Sequence, residues 1–221
     1  MTAPIITIDG PSASGKGTLA RRLAAELGYY YLDTGAIYRV LALRLLQSGL
    51  DPDNAETSAA EALKLAQSFD TALMDNPAIR NDEVAQATSK SSRHEGVRAA
   101  LLDLQRDIAA NPPKPYKGAV LDGRDTGTVV CPHAPLKFFL TASAAERAKR
   151  RTKELLSRGI ETTYAAVLRD LEERDERDST RAVAPLRPAH DAATVNTDGL
   201  DADAALAHVL GIVRKSLPEI A

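Results

Sequence analysis

A glycine-rich segment near the start of the chain has the composition and spacing of a phosphate-binding loop. It matches the pattern G-x-x-x-x-G-K, and its nine residues are Gly10, Pro11, Ser12, Ala13, Ser14, Gly15, Lys16, Gly17 and Thr18. Glycine allows close approach of the backbone to a phosphate, so that N–H groups can donate to it. The lysine adds a full positive charge. A turn that binds nothing requires neither the lysine nor this spacing, and the pattern therefore predicts a nucleotide site.

The loop departs from the common pattern directly after its lysine, where a hydroxyl side chain usually helps to bind Mg²⁺. This position is Gly17, and Thr18 follows one place later. Asp122 comes at the end of a short hydrophobic run, and a carboxylate there can hold the water shell of the ion. We therefore expect Mg²⁺ as a cofactor, with Thr18 and Asp122 as candidate ligands, directly or through water.

Arginines downstream are also suited to phosphate chemistry. Arg174, Arg177 and Arg181 are spaced i, i+3 and i+7, so that one helix face could present three guanidinium groups. Bidentate arginines fit the oxygens of a transferring phosphoryl group. The same segment carries several acidic residues and would otherwise be typical of a solvated face with salt bridges. The phosphate loop favours the catalytic interpretation. Farther upstream, Arg150 and Arg151 fit phosphate contacts or a basic helix surface.

Short strands alternate with helices along the chain and would position these residues. Strands are predicted at Ile5–Ile8, Tyr29–Leu32, Ala119–Leu121, Leu136–Leu140 and Ala193–Val195. Helices are predicted at Thr18–Leu27, Ile37–Leu46, Ala59–Gln67, Val97–Ile108, after a capping box at Ser143, Tyr164–Arg177 and Ala202–Leu217. A less regular inserted segment, residues 49–88, is expected to be loop-like around Met74–Asn81. The alternation predicts a three-layer α/β domain with a five-stranded parallel sheet.

Composition excludes several other classes of protein. The net charge of −2 argues against a binder of polymeric nucleic acid. No apolar run approaches the roughly 20 residues of a membrane span, and Met1–Pro4 lacks the features of a signal peptide. The single cysteine, Cys131, cannot form an internal disulfide and is expected to be a small buried hydrophobic residue. We therefore expect a cytoplasmic protein with no membrane partner.

Four separated motifs give the chain a close resemblance to the bacterial cytidylate kinases, a family of P-loop nucleoside monophosphate kinases. The motifs are Gly15-Lys-Gly-Thr18, Leu32-Asp-Thr-Gly-Ala-Ile-Tyr-Arg39, Asp122-Gly-Arg-Asp-Thr-Gly-Thr-Val-Val130 and Arg174 through Arg181-Ala-Val-Ala-Pro-Leu186. The resemblance covers essentially the whole length and implies the P-loop nucleotide kinase fold. It also implies transfer of the γ-phosphoryl group of ATP to CMP or dCMP, with Mg²⁺, in pyrimidine metabolism.

The resemblance further implies one kinase domain over residues 1–221 that acts as a monomer. Within it, an insertion at about 49–98 would bind the acceptor, and a short lid at about 148–163 would close over ATP. The insertion is shorter than in many relatives between Leu73 and Val84, which bears on how closely cytosine is enclosed.

Roles for individual residues follow from the same resemblance. Lys16, Arg174 and Arg181 would be catalytic, and residues 10–18 would bind ATP. Contacts with CMP would come from Thr34, Arg39, Ser89, Arg98, Arg124, Asp125, Asp178 and Arg181. Among these, Ser89 would meet the cytosine or its sugar, and Asp178 the sugar hydroxyls. Arg124 and Asp125 also follow the third predicted strand, at the sheet edge where open α/β sheets bind ligands.

Two alternatives stay open from the residues alone. A kinase for UMP, or for a small metabolite hydroxyl, would use the same donor loop. A nucleotide-dependent switch belongs to a different class and needs little beyond the donor site. The polar and arginine motifs after the second and third strands favour a second ligand, and hence an enzyme.

Overall fold

A five-stranded sheet, with strand order β2-β3-β1-β4-β5, forms the centre of the computed structural model, which describes residues 4–217. The strands are β1 Ile5–Asp9, β2 Tyr30–Asp33, β3 Ala119–Gly123, β4 Leu136–Thr141 and β5 Ala193–Asn196. Strand β1 runs parallel to both of its neighbours, with Ile6 opposite Val120 on β3 and Leu136 on β4. Strand β5 runs parallel to β4. The predicted five-stranded parallel sheet is confirmed.

Helices account for most of the remaining described residues. The α-helices are α1 Lys16–Leu27, α2 Thr34–Gln47, α3 Ala55–Gln67, α4 Asp82–Ser91, α5 Glu95–Ala110, α6 Ala144–Ser157, α7 Tyr164–Thr180 and α8 Ala202–Ser216. Two 3₁₀ turns, Thr71–Asp75 and Pro77–Arg80, and one π-helical turn, Thr126–Val130, complete them. Within residues 4–217, none of the helices is both long enough and apolar enough to cross a membrane.

The chain divides into two compact units at the end of β2 and near the end of α5. The described residues of the first unit are 4–32 and 109–217, and the second unit is Asp33–Ile108. In the first unit, Ile6, Ile8 and Phe138 of the sheet pack with Leu23 of α1 and Val209 of α8. Each is almost fully buried. Strands buried on both faces need continuous apolar runs, which is why β1 and β4 are rich in Ile, Phe and Leu.

The second unit is built on α2. Its buried residues Ile37, Leu41 and Leu45 recur every four positions and form one apolar face. Asp33 caps this helix, because its carboxylate accepts a hydrogen bond from the N–H of Ala36 at 3.1 Å. Helix α2 packs closely against α4. The second unit therefore has a helical core of its own.

The region expected to be loop-like around Met74–Asn81 is instead mostly helical. It includes the end of the first 3₁₀ turn and the whole of the second, and α4 follows directly although no helix was predicted there. Asp70, Asn76 and Asn81 each begin one of these elements by accepting a hydrogen bond from a backbone N–H. Asx residues indicate turns and helix starts equally well in a sequence, and this ambiguity explains the wrong prediction.

Candidate active site

The phosphate loop joins β1 to α1, as its sequence predicts. Gly15 has the left-handed φ of +88° that favours glycine, and α1 begins directly after it at Lys16. A Cβ on Gly10 would lie 2.2 Å from the carbonyl oxygen of Leu140, so only glycine fits there. Ala13 also has a left-handed φ, of +59°, which costs on the order of 1 kcal/mol. The strained turn leads into a helix N-terminus, whose partial positive charge attracts phosphate.

Three backbone carbonyls of this loop accept hydrogen bonds from side chains. The Nζ of Lys16 donates to the carbonyl of Pro11 at 3.4 Å. The hydroxyl of Thr197 donates to the carbonyl of Ser14 at 3.2 Å, and Nη1 of Arg147 donates to that of Ser12 at 3.1 Å. Neither Thr197 nor Arg147 was predicted from the sequence, and both are almost fully buried. These contacts fix the shape of the loop.

Asp122 lies beside the lysine of the loop. One carboxylate oxygen, Oδ1, is 3.9 Å from Nζ of Lys16, and the other, Oδ2, accepts a hydrogen bond from the Tyr31 hydroxyl at 3.2 Å. A Cβ on Gly17 would lie 2.9 Å from Oδ2. The carboxylate therefore reaches the space next to the position where this class of loop usually carries a hydroxyl. The departure at Gly17 thus has a steric reason.

The oxygen donors at this place fit Mg²⁺. Asp122 offers a buried carboxylate, and Thr18 offers an exposed hydroxyl on the first turn of α1. Across residues 4–217, no group of three or more His, Cys, Asp or Glu side chains is arranged to hold a metal ion. Mg²⁺ in phosphoryl-transfer sites typically takes one or two carboxylates, with phosphate and water oxygens as its other ligands. The donor set is compatible with that arrangement.

Three arginines converge on Asp178. Its Oδ2 accepts a hydrogen bond from Nε of Arg124 at 3.0 Å and lies 3.9 Å from Nε of Arg174. Its Oδ1 lies 3.9 Å from Nη1 of Arg181, whose Nη2 is 3.8 Å from Oδ1 of Asp125. The first unit therefore brings together the five predicted residues Arg124, Asp125, Arg174, Asp178 and Arg181.

The charges around Asp178 determine its ionisation. Burial acts to raise the pKa of its carboxyl, but the charges of Arg124, Arg174 and Arg181 outweigh burial and hold the pKa below the usual value. Asp178 is therefore ionised at neutral pH. It keeps three guanidinium groups close together despite their mutual repulsion.

The expected arginine face of α7 is wrong in part. The helix ends at Thr180, and Arg181 has an extended backbone, with φ −61° and ψ 141°. The chain turns back here, since the N–H of Leu186 donates to the carbonyl of Asp178 at 2.7 Å. The Nε of Arg181 donates to the carbonyl of Ala184 at 2.6 Å. Arg177 instead lies 3.7 Å from Glu173, and its side chain is 45% exposed.

Asp9, at the end of β1, supports the segment that carries Asp125. Its Oδ1 accepts hydrogen bonds from the N–H and the hydroxyl of Thr126, at 2.9 and 2.8 Å. Its Oδ2 accepts one from the N–H of Gly127 at 2.8 Å. Burial raises the pKa of Asp9 to about 6, although these hydrogen bonds lower it. Asp9 was missed, although an acidic residue just before the phosphate loop was a visible signal.

Four predicted acceptor residues belong to the second unit. Thr34 is the buried first residue of α2, and Nη1 of Arg39 donates to the carbonyl of Ile79 at 3.1 Å. The Arg98 guanidinium lies 5.4 Å from the centre of the Tyr38 ring. Ser89 is half-buried on α4. The roles of these side chains toward an acceptor stay predictions.

A cavity of about 260 Å³ opens beside the phosphate loop within the first unit. Its wall includes apolar Leu19, Leu140 and Ala205, together with Arg150 and Thr197. The Nη1 of Arg150 donates to the Thr197 hydroxyl at 3.0 Å, and its Nε donates to Glu146 at 3.0 Å. Arg150 is thus part of the wall of this cavity rather than of a purely solvated basic surface.

Cys131 follows the π-helical turn and is half-buried, which differs from the expected full burial. It lies in the connection between this turn and β4, outside the sheet.

The chain is similar to one family of proteins over almost its whole length. The family model described as "Cytidylate kinase" matches residues 6–215. A protein named cytidylate kinase from Paramagnetospirillum magneticum is 58% identical over 209 residues, covering 95% of this chain and 97% of that protein. Its namesake from Rhodospirillum rubrum is 50% identical over 209 residues, covering 95% and 96%. The crystal structure of TT1252 from Thermus thermophilus, with a TM-score of 0.50 and 17% identity, covers 98% of this chain and 99% of that one and supports the fold alone. The chain belongs to the cytidylate kinase family.

Proposed function

We propose that the protein transfers the γ-phosphoryl group of ATP to CMP or dCMP, giving ADP and CDP or dCDP. This proposal rests on the contacts made by two residues at the end of β3. Asp122 there lies 3.9 Å from Lys16 of the phosphate loop, and Arg124, two residues later, donates to Asp178 among the other arginines. One short segment therefore contacts both the donor loop and a cationic cluster suited to a second phosphate.

The donor site follows from the loop and its neighbouring cavity. Residues 10–18 bind the phosphates of ATP through backbone N–H groups and the charge of Lys16. The apolar cavity beside the loop accommodates the adenine base. Its mixture of aliphatic walls with a few polar groups is typical of small-ligand sites.

The acceptor contacts are those that the family resemblance implies, and they suit the chemistry of the side chains. Arg124 and Arg181 bind phosphate, while Asp125 and Asp178 accept hydrogen bonds from the sugar. Thr34, Arg39, Ser89 and Arg98 are the other proposed contacts with CMP. The insertion at about 49–98 is the acceptor-binding segment, and the segment at about 148–163 is the lid. Arginine suits phosphate because its planar fork donates two parallel hydrogen bonds.

Transfer requires little covalent chemistry from the protein. A phosphate oxygen of CMP attacks the γ-phosphorus of ATP and forms a new P–O bond to it. The bond between the γ-phosphorus and the β,γ-bridging oxygen breaks, and this oxygen leaves with ADP. Lys16, Arg174 and Arg181 neutralise the charge that spreads over the transferring oxygens. Asp122 and Thr18 would hold Mg²⁺, directly or through water, which neutralises phosphate charge when bound. Positioning of the two nucleotides supplies the rest of the rate enhancement.

The setting of this reaction follows from composition. With a net charge of −2, the chain has no general attraction for polymeric nucleic acid. We place the enzyme in the cytoplasm, as a monomer without a membrane partner.

An acceptor panel tests the function. ATP and Mg²⁺ are incubated with CMP, dCMP, UMP, AMP or GMP, and both products are quantified by chromatography. We expect CDP from CMP and dCDP from dCMP, each in step with ADP, and poor reaction of AMP and GMP. Equal activity on AMP, or none on CMP, would contradict the proposal. Binding of ATP without phosphorylation of any acceptor would instead indicate a switch.

A further inference from the structure

Arg147 is a buried arginine whose guanidinium contacts two parts of the active site. The residue is 4% exposed, whereas Lys149, two positions later on the same helix, is exposed. Its Nε donates to the carbonyl of Ala142 at 3.0 Å, and Nη1 donates to the carbonyl of Ser12 in the phosphate loop at 3.1 Å. Its Nη2 donates to Oδ2 of Asp175 at 2.5 Å. All three nitrogens of the guanidinium therefore have protein partners.

The two partners of Arg147 lie next to different groups of proposed catalytic residues. Ser12 belongs to the loop that presents Lys16 to the donor phosphates. Asp175 lies on α7, directly after Arg174 and three residues before Asp178, which holds the arginine cluster. Arg147 therefore links the donor loop to the helix that carries the acceptor-side arginines.

An apolar contact supports the same link independently. Ala13 of the phosphate loop packs against a small cluster of α6 and α7 that includes Leu155, Val167 and Leu171. The loop and α7 are thus joined by one polar and one apolar contact, on adjacent residues of the loop. Displacement of α7 would disturb the loop at Ser12 and Ala13 together.

We infer that Arg147 is a positioning residue that sets the distance between Lys16 and the arginines at the end of α7. This inference rests on the proposed phosphoryl transfer, and it assigns Arg147 no contact with either nucleotide. Both groups must surround one phosphoryl group as it transfers, and a misplacement of about 1 Å can lower a rate about 100-fold. The buried guanidinium holds that spacing through rigid, charge-assisted hydrogen bonds.

The test compares single and double variants of the two partners. Arg147→Met keeps the length of the side chain but removes its donors, and Asp175→Ala removes the acceptor on α7 without harming helix propensity. Arg214→Met and Glu172→Ala are the matched controls, since they remove an exposed charged side chain from α8 and from α7, respectively. Steady-state rates are measured with ATP and CMP, at a temperature well below the melting temperature of each variant.

We expect Arg147→Met to lower kcat about 30-fold and Asp175→Ala about 10-fold, with KM for CMP changed by less than about threefold. The double variant should resemble Arg147→Met alone, because both substitutions break one link. Both controls should keep kcat within about twofold of the wild type.

Several outcomes would overturn the inference. A purely structural role predicts a lower melting temperature with kcat within twofold of the wild type. If the double variant lowers kcat by the product of the two single factors, the two residues act separately. If Arg147→Met does not fold, the kcat of Asp175→Ala alone tests the inference, and a value within twofold of the wild type would overturn it. Failure of the wild type to phosphorylate CMP would contradict the proposed function instead, and the ratio of variant to wild type would then be measured on the acceptor that the panel identifies.

Discussion

Gly17 and Asp122 form a matched pair, since a Cβ on Gly17 would lie 2.9 Å from Oδ2 of Asp122. The carboxylate is held from the other side by the hydroxyl of Tyr31. A residue with a side chain at position 17 would push Asp122 away from Lys16. The glycine that breaks the usual loop pattern therefore makes room for a carboxylate from β3.

Gly17→Ala tests this pairing. We expect kcat/KM for ATP to fall about tenfold, because Asp122 must shift by several tenths of an ångström in a buried position. The melting temperature should change little, since alanine is favourable in a helix. Gly211→Ala on α8 is the control, because a Cβ there meets no atom within 4 Å. Wild-type kinetics in Gly17→Ala would contradict the pairing.

Lys16→Ala should abolish most of the turnover. Loss of one charge aimed at the transferring oxygens typically costs about 3–4 kcal/mol of transition-state stabilisation, or about 100- to 1,000-fold in kcat. The fold should survive, and thermal unfolding checks this. Lys215→Ala removes an exposed lysine of α8 and should retain activity. A variant at Lys16 that turns over at a tenth of the wild-type rate would show that its charge is not central.

Arg181 and Arg177 provide a contrast between two neighbouring arginines. Arg181 lies near both Asp125 and Asp178, whereas Arg177 pairs with Glu173 on the helix surface. We expect Arg181→Ala to lower kcat about 100-fold with a much smaller change in KM for CMP, and Arg177→Ala to stay within about twofold. A change confined to KM in Arg181→Ala would indicate uniform binding rather than catalysis.

Asp9 should make activity depend on pH near 6. Protonation puts a hydrogen on a carboxylate that accepts three hydrogen bonds around Thr126 and Gly127, and so disturbs the segment next to Asp125. We expect kcat to fall as the pH drops through about 6, the pKa of Asp9. The phosphate of CMP titrates in the same range. Asp9→Asn is therefore compared across the same pH range, and an unchanged inflection in this variant would exclude Asp9 as its source.

The effect on stability has the opposite sign. The pKa of Asp9 is about 6 in the folded protein, above its ordinary value of 3.8, so the native state binds more protons between these values. Its contribution to the free energy of unfolding is therefore present at low pH and lost as the pH rises through 6. Relative to Asp9→Asn, the wild type should gain about 1 kcal/mol on going from pH 7 to pH 5. Urea unfolding at both pH values measures this difference.

Features that depend on neighbouring residues in the chain could be predicted from the sequence. The five strands, and the position of the glycine-rich loop between β1 and α1, follow from short runs of residues, and these predictions are confirmed. Asp9 and Arg147 were missed because their partners are distant, 117 residues away at Thr126 and 135 residues away at Ser12. A sequence pattern cannot show such pairings.

Errors at helix ends have a related cause. The place where α7 ends depends on the hydrogen bond from Leu186 back to Asp178, a contact made by the chain after the helix. Periodicity alone extended the arginine face to Arg181, beyond the last helical residue, Thr180. The role of Arg181 is better understood from its tertiary neighbours than from its spacing.

The carbonyl contacts of the phosphate loop have an entropic consequence. Thr197 and Arg147 hold Ser14 and Ser12 through side chains from other elements, so the turn is ordered by folding rather than by its nucleotide. Ordering the backbone of a flexible loop costs about 1–2 kcal/mol per residue. In the proposed ATP site, the nucleotide therefore does not bear this ordering cost. More of the intrinsic binding energy is then available to align the γ-phosphoryl group for transfer.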